Sequence, residues 1–204
     1  QPLDRDLSKR LERPVRFAND ANCFALSEAV DGAAAGARVV FGVIVGTGTG
    51  GGVVVDRKVL TGPNAIAGEW GHNPLPWPRE GEWPGPPCYC GKTGCVETFL
   101  SGTGLARDYR EATGEAIDGR EIVARADRGE AAADAGLDRY EDRMARALAV
   151  VVDILDPDVV VLGGGVSQIG RLYEAVPKLW QEWAFSDRVD TALRPPVHGD
   201  SSGV

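Results

Sequence analysis

Apolar and polar positions divide the chain into a helical opening, a small β unit, a long irregular segment and a run of helices closed by one more strand. Leu3 to Leu11 has helical spacing in a polar background, and Pro14 to Ala18 reads as a short strand. Ala21 to Ala34 is apolar at helical intervals through Phe24, Leu26 and Val30, with Asn19 or Asp20 placed as its N-cap. Small residues from Gly32 to Ala37 mark a boundary. A buried strand over Val39–Val45, a glycine-rich turn over Gly46–Gly52, a second strand over Val53–Val55 and a third after Asp56-Arg57 follow. This order predicts a hairpin-type unit, not βαβ.

From Ala67 to Cys95 the prolines at 74, 76, 78, 84, 86 and 87 leave no room for a regular element. Helices are then expected over Cys95–Leu100, Thr103–Ala112, Gly119–Arg128 and Ala132–Leu155. A buried strand over Asp158–Leu162, a triple-glycine turn and a helix over Ile169–Trp183, interrupted at Pro177, complete the pattern. There is no internal repeat.

Composition narrows the partners. A 204-residue chain with 43% hydrophobic residues can bury a substantial core. Its net charge of −8 leaves no basic face to follow a phosphate backbone, so nucleic acid is not an expected partner. The apolar run Ala145–Leu155 is interrupted by Asp153 and too short to span a bilayer, so no membrane partner and a cytoplasmic location are expected.

One short segment concentrates chemistry. His72, Cys88, Cys90 and Cys95 form H-x15-C-x-C-x4-C, using three of four cysteines. Thiolate and imidazole suit zinc, and four protein ligands make a structural site. A Cys88–Cys90 disulfide would be badly strained, and bridges from either to Cys95 need an oxidising compartment. Cys23 reads as an inert buried thiol. Two acids flank the metal set, Glu69 and Glu97.

Gly46, Thr47, Gly48, Thr49, Gly50, Gly51 and Gly52 can turn tightly and aim amides at an anion, which is how a phosphate loop works; the plain alternative is a tight hairpin. The match to G-x-G-x-x-G fails on context, because a strand rather than a helix follows. A Walker A reading at Gly91-Lys92-Thr93 fails because residue 86 is proline. Gly163-Gly164-Gly165 lies between a strand and a helix, where a nucleoside can lie against backbone. Asp20 is either a helix cap or a general base facing a cleft.

Taken in order, Asn19-Asp20, the glycine loop at 46–52, Glu69-Trp70-Gly71-His72, the Cys88–Glu97 block and Gly163-Gly164-Gly165 make the chain resemble the ROK family of bacterial sugar kinases and repressors. Residues 19–23 and 67–77 look most like fructokinases of the mannofructokinase type. The resemblance implies an α/β fold of the actin-like ATPase (ribonuclease H-like) class, with residues 1–34 the tail of an N-terminal domain and 35–204 the C-terminal domain. It implies Asp20 as base on the sugar 6-hydroxyl, and Asn19, Glu69, His72 and Glu97 as sugar ligands. His72 would serve zinc with one nitrogen and sugar with the other. ATP phosphates would lie on Gly46–Gly52, adenosine near Gly163–Gly165 and magnesium on the nucleotide; a homodimer is the expected assembly.

The family's Asp-x-Gly-Gly-Thr-Lys phosphate loop does not occur in these residues. The start at Gln1 and the helix-start signal at Asp200–Val204 read as cuts, so an internal fragment, inactive alone and exposing Phe17, Phe24 and Leu26, is expected. The expected reaction is ATP-dependent phosphorylation of a hexose, fructose first, with glucose, mannose or N-acetylglucosamine as alternatives. The rival readings are the sugar-sensing half of a repressor and a purely structural zinc module.

Overall fold

A computed structural model describes residues 3–199 of the chain. The Asp200–Val204 signal lies outside the described residues, as does Gln1. The expected first helix forms as α1 (Leu3–Leu11). No strand forms over residues 14–18, because no neighbouring strand accepts its amides; Phe17 is 59% exposed there. The next helix, α2 (Asp20–Val30), starts as the apolar spacing predicts and stops before the glycine-alanine stretch.

A five-stranded sheet organises the rest: β1 (Val39–Val45), β2 (Thr49–Val55), β3 (Lys58–Val59), β4 (Val159–Gly163) and β5 (Ala192–Arg194), in the order β3-β2-β1-β4-β5. The first three run antiparallel, while β4 is parallel to β1 and β5 to β4. β5 has only three residues before a Pro-Pro pair, too few to leave a periodic pattern.

Alternation along the strands fills two faces. Val40, Val54, Val159 and Val161 point to one side, where they meet Phe24, Ala25 and Ala29 of α2. Phe41, Val43, Val45, Val160 and Leu162 point to the other, against the helices that follow. Those are α3 (Val96–Leu100), α4 (Gly102–Thr113), α5 (Gly119–Asp127), α6 (Ala131–Leu155) and α7 (Leu172–Leu179). α7 runs through Pro177 rather than breaking at it, since the lost amide falls only two residues before the helix ends. Phe24 is fully buried and Leu26 half-buried, so of the three apolar residues expected on the surface only Phe17 lies there. Among the described residues no helix is long and apolar enough to cross a membrane.

The glycine run departs from the expected turn. Gly46–Gly48 form a three-residue turn, closed by Gly46 N–H donating to Gly48 O at 2.9 Å, while Thr49–Gly52 belong to β2 and pair with Val45, Ile44, Val43 and Gly42. Glycine carries no side chain to reveal a strand's period, so the spacing cannot announce it. The reason for glycine here is close approach on both faces. A Cβ at Gly52 would lie 2.5 Å from Ala21 O under α2, and one at Gly51 would lie 2.6 Å from Gly68 O on the opposite face.

Candidate active site

Four short segments converge on Thr49–Gly52. The first is the start of α2. Asn19 is the cap, its Oδ1 accepting from the Asn22 amide at 3.1 Å, and Asp20 is the first helical residue, with Oδ1 accepting from the Ala21 amide at 2.8 Å. Asp20 is exposed, and the neighbouring Ala21 Cβ lies over Gly50. The second segment, 67–72, docks by backbone on the other face: Gly68 against Gly51, and Gly71 against Thr49 O. It carries exposed Glu69 and half-buried His72. The third is the first turn of α3, from which Glu97 Oε2 accepts the Thr49 amide at 3.0 Å.

The fourth is the cysteine segment. Its backbone is tied down by Cys88 N–H to Lys92 O at 2.8 Å, Gly94 N–H to Pro86 O at 2.9 Å and Leu75 N–H to Gly94 O at 2.8 Å. All four cysteines are free, and Cys23 is only half-buried, less than expected. His72 Nδ1 lies 3.5 Å from Cys88 Sγ, and Cys90 Sγ lies 3.6 Å from Cys95 Sγ. The four donor atoms lie within 4.8 Å of one another. Tetrahedral zinc with bonds of about 2.0–2.3 Å needs donors about 3.3–3.8 Å apart; the two pairs at 3.5 and 3.6 Å meet that, and the donor types suit the ion. Burial first, then hydrogen bonds and charge from Cys90 and Cys88, push the Cys95 thiol up to about 12. The Lys92 backbone amide is the main cause lowering Cys90. Three crowded thiols become favourable as thiolates when a cation shares them.

The far nitrogen of His72 meets a group the sequence reading passed over. Tyr89 Oη lies 2.8 Å from His72 Nε2, with the rings edge-on at 5.0 Å and 86°. Loss of hydration at the hydroxyl, then the charges of Glu97, Cys88, Glu69 and Cys90, raise Tyr89 above the usual phenol value.

Next to this cluster, at the carboxyl ends of β1 and β4, is a cavity of about 510 Å³. Gly46, Thr47 and Gly165 line it, so one end of each glycine segment borders a common space. Of the triple glycine, Gly163 makes room for Phe24. Gly164, at φ +75°, passes so close to Val45 O that a Cβ would sit 2.4 Å away, and Gly165 opens onto the cavity. Thr49–Gly52, held in β2, are absent from its wall.

Several lining residues had no sequence signal. The N-termini of α4 (Gly102, Thr103) and α5 (Asp118, Gly119, Arg120) point into the cavity, with Gln168 beyond. Gly102 N–H donates to Gly46 O at 2.7 Å, fixing α4 beside the turn. Serine and aspartate capping residues at 101 and 118 announce the helix starts, but only tertiary packing brings them together. Helix N-termini favour anions, and Leu105, Val123, Val166 and Ile169 supply an apolar wall for a flat ring.

The sequence profile of the ROK family matches residues 1–204. An N-acetyl-D-glucosamine kinase from Escherichia coli is 41% identical over 212 residues, covering 100% of this chain and 69% of that protein. The crystal structure of a ROK hexokinase from Thermus thermophilus has a TM-score of 0.87 at 35% identity, over 99% of this chain and 66% of that one. A ROK family glucokinase from Streptomyces griseus, in complex with glucose and AMPPNP, has a TM-score of 0.86 at 28% identity, over 100% of this chain and 70% of that one. The chain thus spans about two thirds of the length of these relatives. The fold is the actin-like ATPase fold these kinases share. The chain belongs to the ROK family. Its 40–41% identical relatives are N-acetyl-D-glucosamine kinases, so the likeness to fructokinases does not extend to them.

Proposed function

We propose that the chain carries the sugar site and nucleotide pocket of an ATP-dependent hexose kinase, which transfers the γ-phosphoryl group to a sugar 6-hydroxyl. Asp20 is the observation that carries this reading. Asn19 does the capping, so the Asp20 carboxylate is left at the surface beside the strand on which Glu69, His72 and Glu97 converge. In that place it accepts the hydroxyl proton as the sugar oxygen attacks the γ-phosphorus and ADP leaves. A sugar-sensing regulator needs neither this base nor a nucleotide cavity.

Asn19, Glu69 and Glu97 supply hydrogen bonds to sugar hydroxyls, while His72, whose Nε2 meets Tyr89 Oη at 2.8 Å, borders the same space. Gly46, Thr47 and Gly48 receive phosphates together with the start of α4, while Gly165 of the triple glycine borders the adenosine. Magnesium on the nucleotide offsets phosphate charge. His72, Cys88, Cys90 and Cys95 would hold one structural zinc, which fixes the imidazole and the loop carrying it. Residues 1–34 read as the tail of a neighbouring domain, with α2 packed on the sheet of 35–204.

N-acetyl-D-glucosamine is the first hexose to test, because the 41% identical relative is a kinase for it. The product of the complete reading frame should phosphorylate at least one of N-acetyl-D-glucosamine, glucose, mannose and fructose in an ADP-coupled assay. Asp20→Asn should lower kcat by roughly 10²–10⁴ and leave sugar KM within a few-fold, the loss expected for a general base. No turnover across the panel, or near-normal turnover by the variant, would sink the reading.

A further inference from the structure

Tyr89 has no part in the reaction as described above, yet its hydroxyl is held against His72, beside the proposed sugar site. The other three tyrosines pack: Tyr109 and Tyr140 are buried and Tyr173 is half-buried, whereas Tyr89 is 83% exposed. A lone exposed aromatic is ordinary. This one is distinguished by where its hydroxyl is held, 2.8 Å from His72 Nε2, with Glu69 and Glu97 close enough to act on it.

A metal on Nδ1 of His72 would fix the direction of that hydrogen bond. His72 turns Nδ1 toward Cys88 Sγ, 3.5 Å away, and so serves the metal set with that nitrogen. The ring proton is then on Nε2, which donates to Tyr89 Oη. The Tyr89 O–H keeps its own proton to give away, and the largely exposed ring keeps open surface to offer a ligand. An aromatic face beside carboxylates is how proteins hold a pyranose: the C–H face lies on the ring while hydroxyls reach the acids. A furanose presents much less of that flat C–H surface.

We propose that Tyr89 contacts the sugar directly and selects for a pyranose, donating its O–H to a sugar oxygen and covering the C–H face with its ring. The inference rests on the sugar-kinase reading and sharpens it, since it places pyranose hexoses above fructose, whose 6-hydroxyl is free only in the furanose form.

The test uses the product of the complete reading frame, with Tyr89→Phe and Tyr89→Ala, and measures KM for N-acetyl-D-glucosamine, glucose, mannose, fructose and ATP together with zinc content. Tyr89→Phe removes one hydrogen bond and should raise pyranose KM by about 2–10-fold. Tyr89→Ala also removes the face and should raise it by about 10-fold or more, while fructose and ATP KM move less than about 3-fold. Zinc content of both variants should equal that of the wild type. Unchanged or lower pyranose KM in Tyr89→Ala would mean that the tyrosine only covers His72, and a wild type that uses fructose alone would refute the pyranose preference. A wild type with no hexose turnover sinks the kinase reading itself, an outcome distinct from either.

Discussion

The two halves of the proline-rich segment between β3 and α3 are ordered by different physics. Residues 76–82 are held by buried charge. Glu82 accepts from Arg143 Nε at 2.7 Å, Arg146 Nη2 at 2.8 Å and the Arg79 amide at 2.8 Å. Arg146, 0% exposed, also donates to Pro76 O and Trp77 O. Asp108 of α4 takes Arg143 and Arg139, which extends the clamp across two helices. Residues 88–95, by contrast, have a short backbone turn and four metal donors, and their side chains pack little. A clamp of this kind persists whatever is bound, whereas the cysteine half would depend on a cation shared by its four donors. A structural metal at the four donors would therefore order only one half of the segment.

Metal removal should separate the halves most sharply. A strong chelator, or Cys95→Ser, should abolish zinc binding and most sugar affinity, because His72 loses its fixed ring and the 88–95 turn loosens. Nucleotide binding should stay within a few-fold, since none of the metal ligands lines the cavity. Calorimetric titration of sugar and of AMPPNP, with elemental analysis, checks this; zinc-free protein with normal sugar affinity would contradict it.

The clamp should respond in the opposite way. Glu82→Ala removes a shared carboxylate from two buried arginines, which keep only the carboxylates of Asp108 and Asp142, and should cost about 3 kcal/mol of stability. Zinc content should persist in the folded fraction. Thermal melts with and without chelator would test this, and a chelator effect that disappears in the variant would mean the two halves are one unit.

Acid should reproduce a weaker form of that lesion. Burial raises the Glu82 carboxyl, but the Arg143 hydrogen bond, the Arg79 amide and the charges of Arg146 and Arg143 outweigh it and leave it below its usual value. Asp108 is lowered the same way, burial being overcome by Arg139 and Arg143. Carboxyls depressed by folding add stability that is complete above their ordinary range near about pH 4–4.5 and lost as pH falls through the lower folded values. Denaturant midpoints should therefore fall below that range, and less steeply in Glu82→Gln.

How much could be read without coordinates follows from which residues carry a pattern. The metal set was legible because its four donors lie within one segment, and the helices because apolar residues mark their buried faces. Three features were not. Residues 14–18 look like a strand until one asks what they would pair with. The cavity depends on Thr103, Arg120 and Gln168, which only packing brings together. The strand character of Thr49–Gly52 was hidden because glycine has no side chain whose alternation could be seen.

That last case yields the smallest test, and it decides what the glycine run is for. If Gly50–Gly52 formed a phosphate loop, a methyl group at 50 or 51 would harm ATP binding about equally. The structure treats them differently. At Gly51 a Cβ meets Gly68 O at 2.6 Å and the Phe41 and Trp70 rings at 2.7 Å, whereas at Gly50 its nearest neighbour is Ala21 Cβ at an ordinary 3.5 Å. Gly51→Ala should cost about 1–3 kcal/mol by overpacking and push the 67–72 segment, with Glu69 and His72, off the strand. Sugar KM should rise while ATP KM holds. Gly50→Ala should change stability by less than about 1 kcal/mol and leave both KM values near wild type, because a strand accepts alanine where space exists. Equal losses of ATP affinity in the two variants would return the run to the phosphate-loop role and leave its close packing on both faces a coincidence.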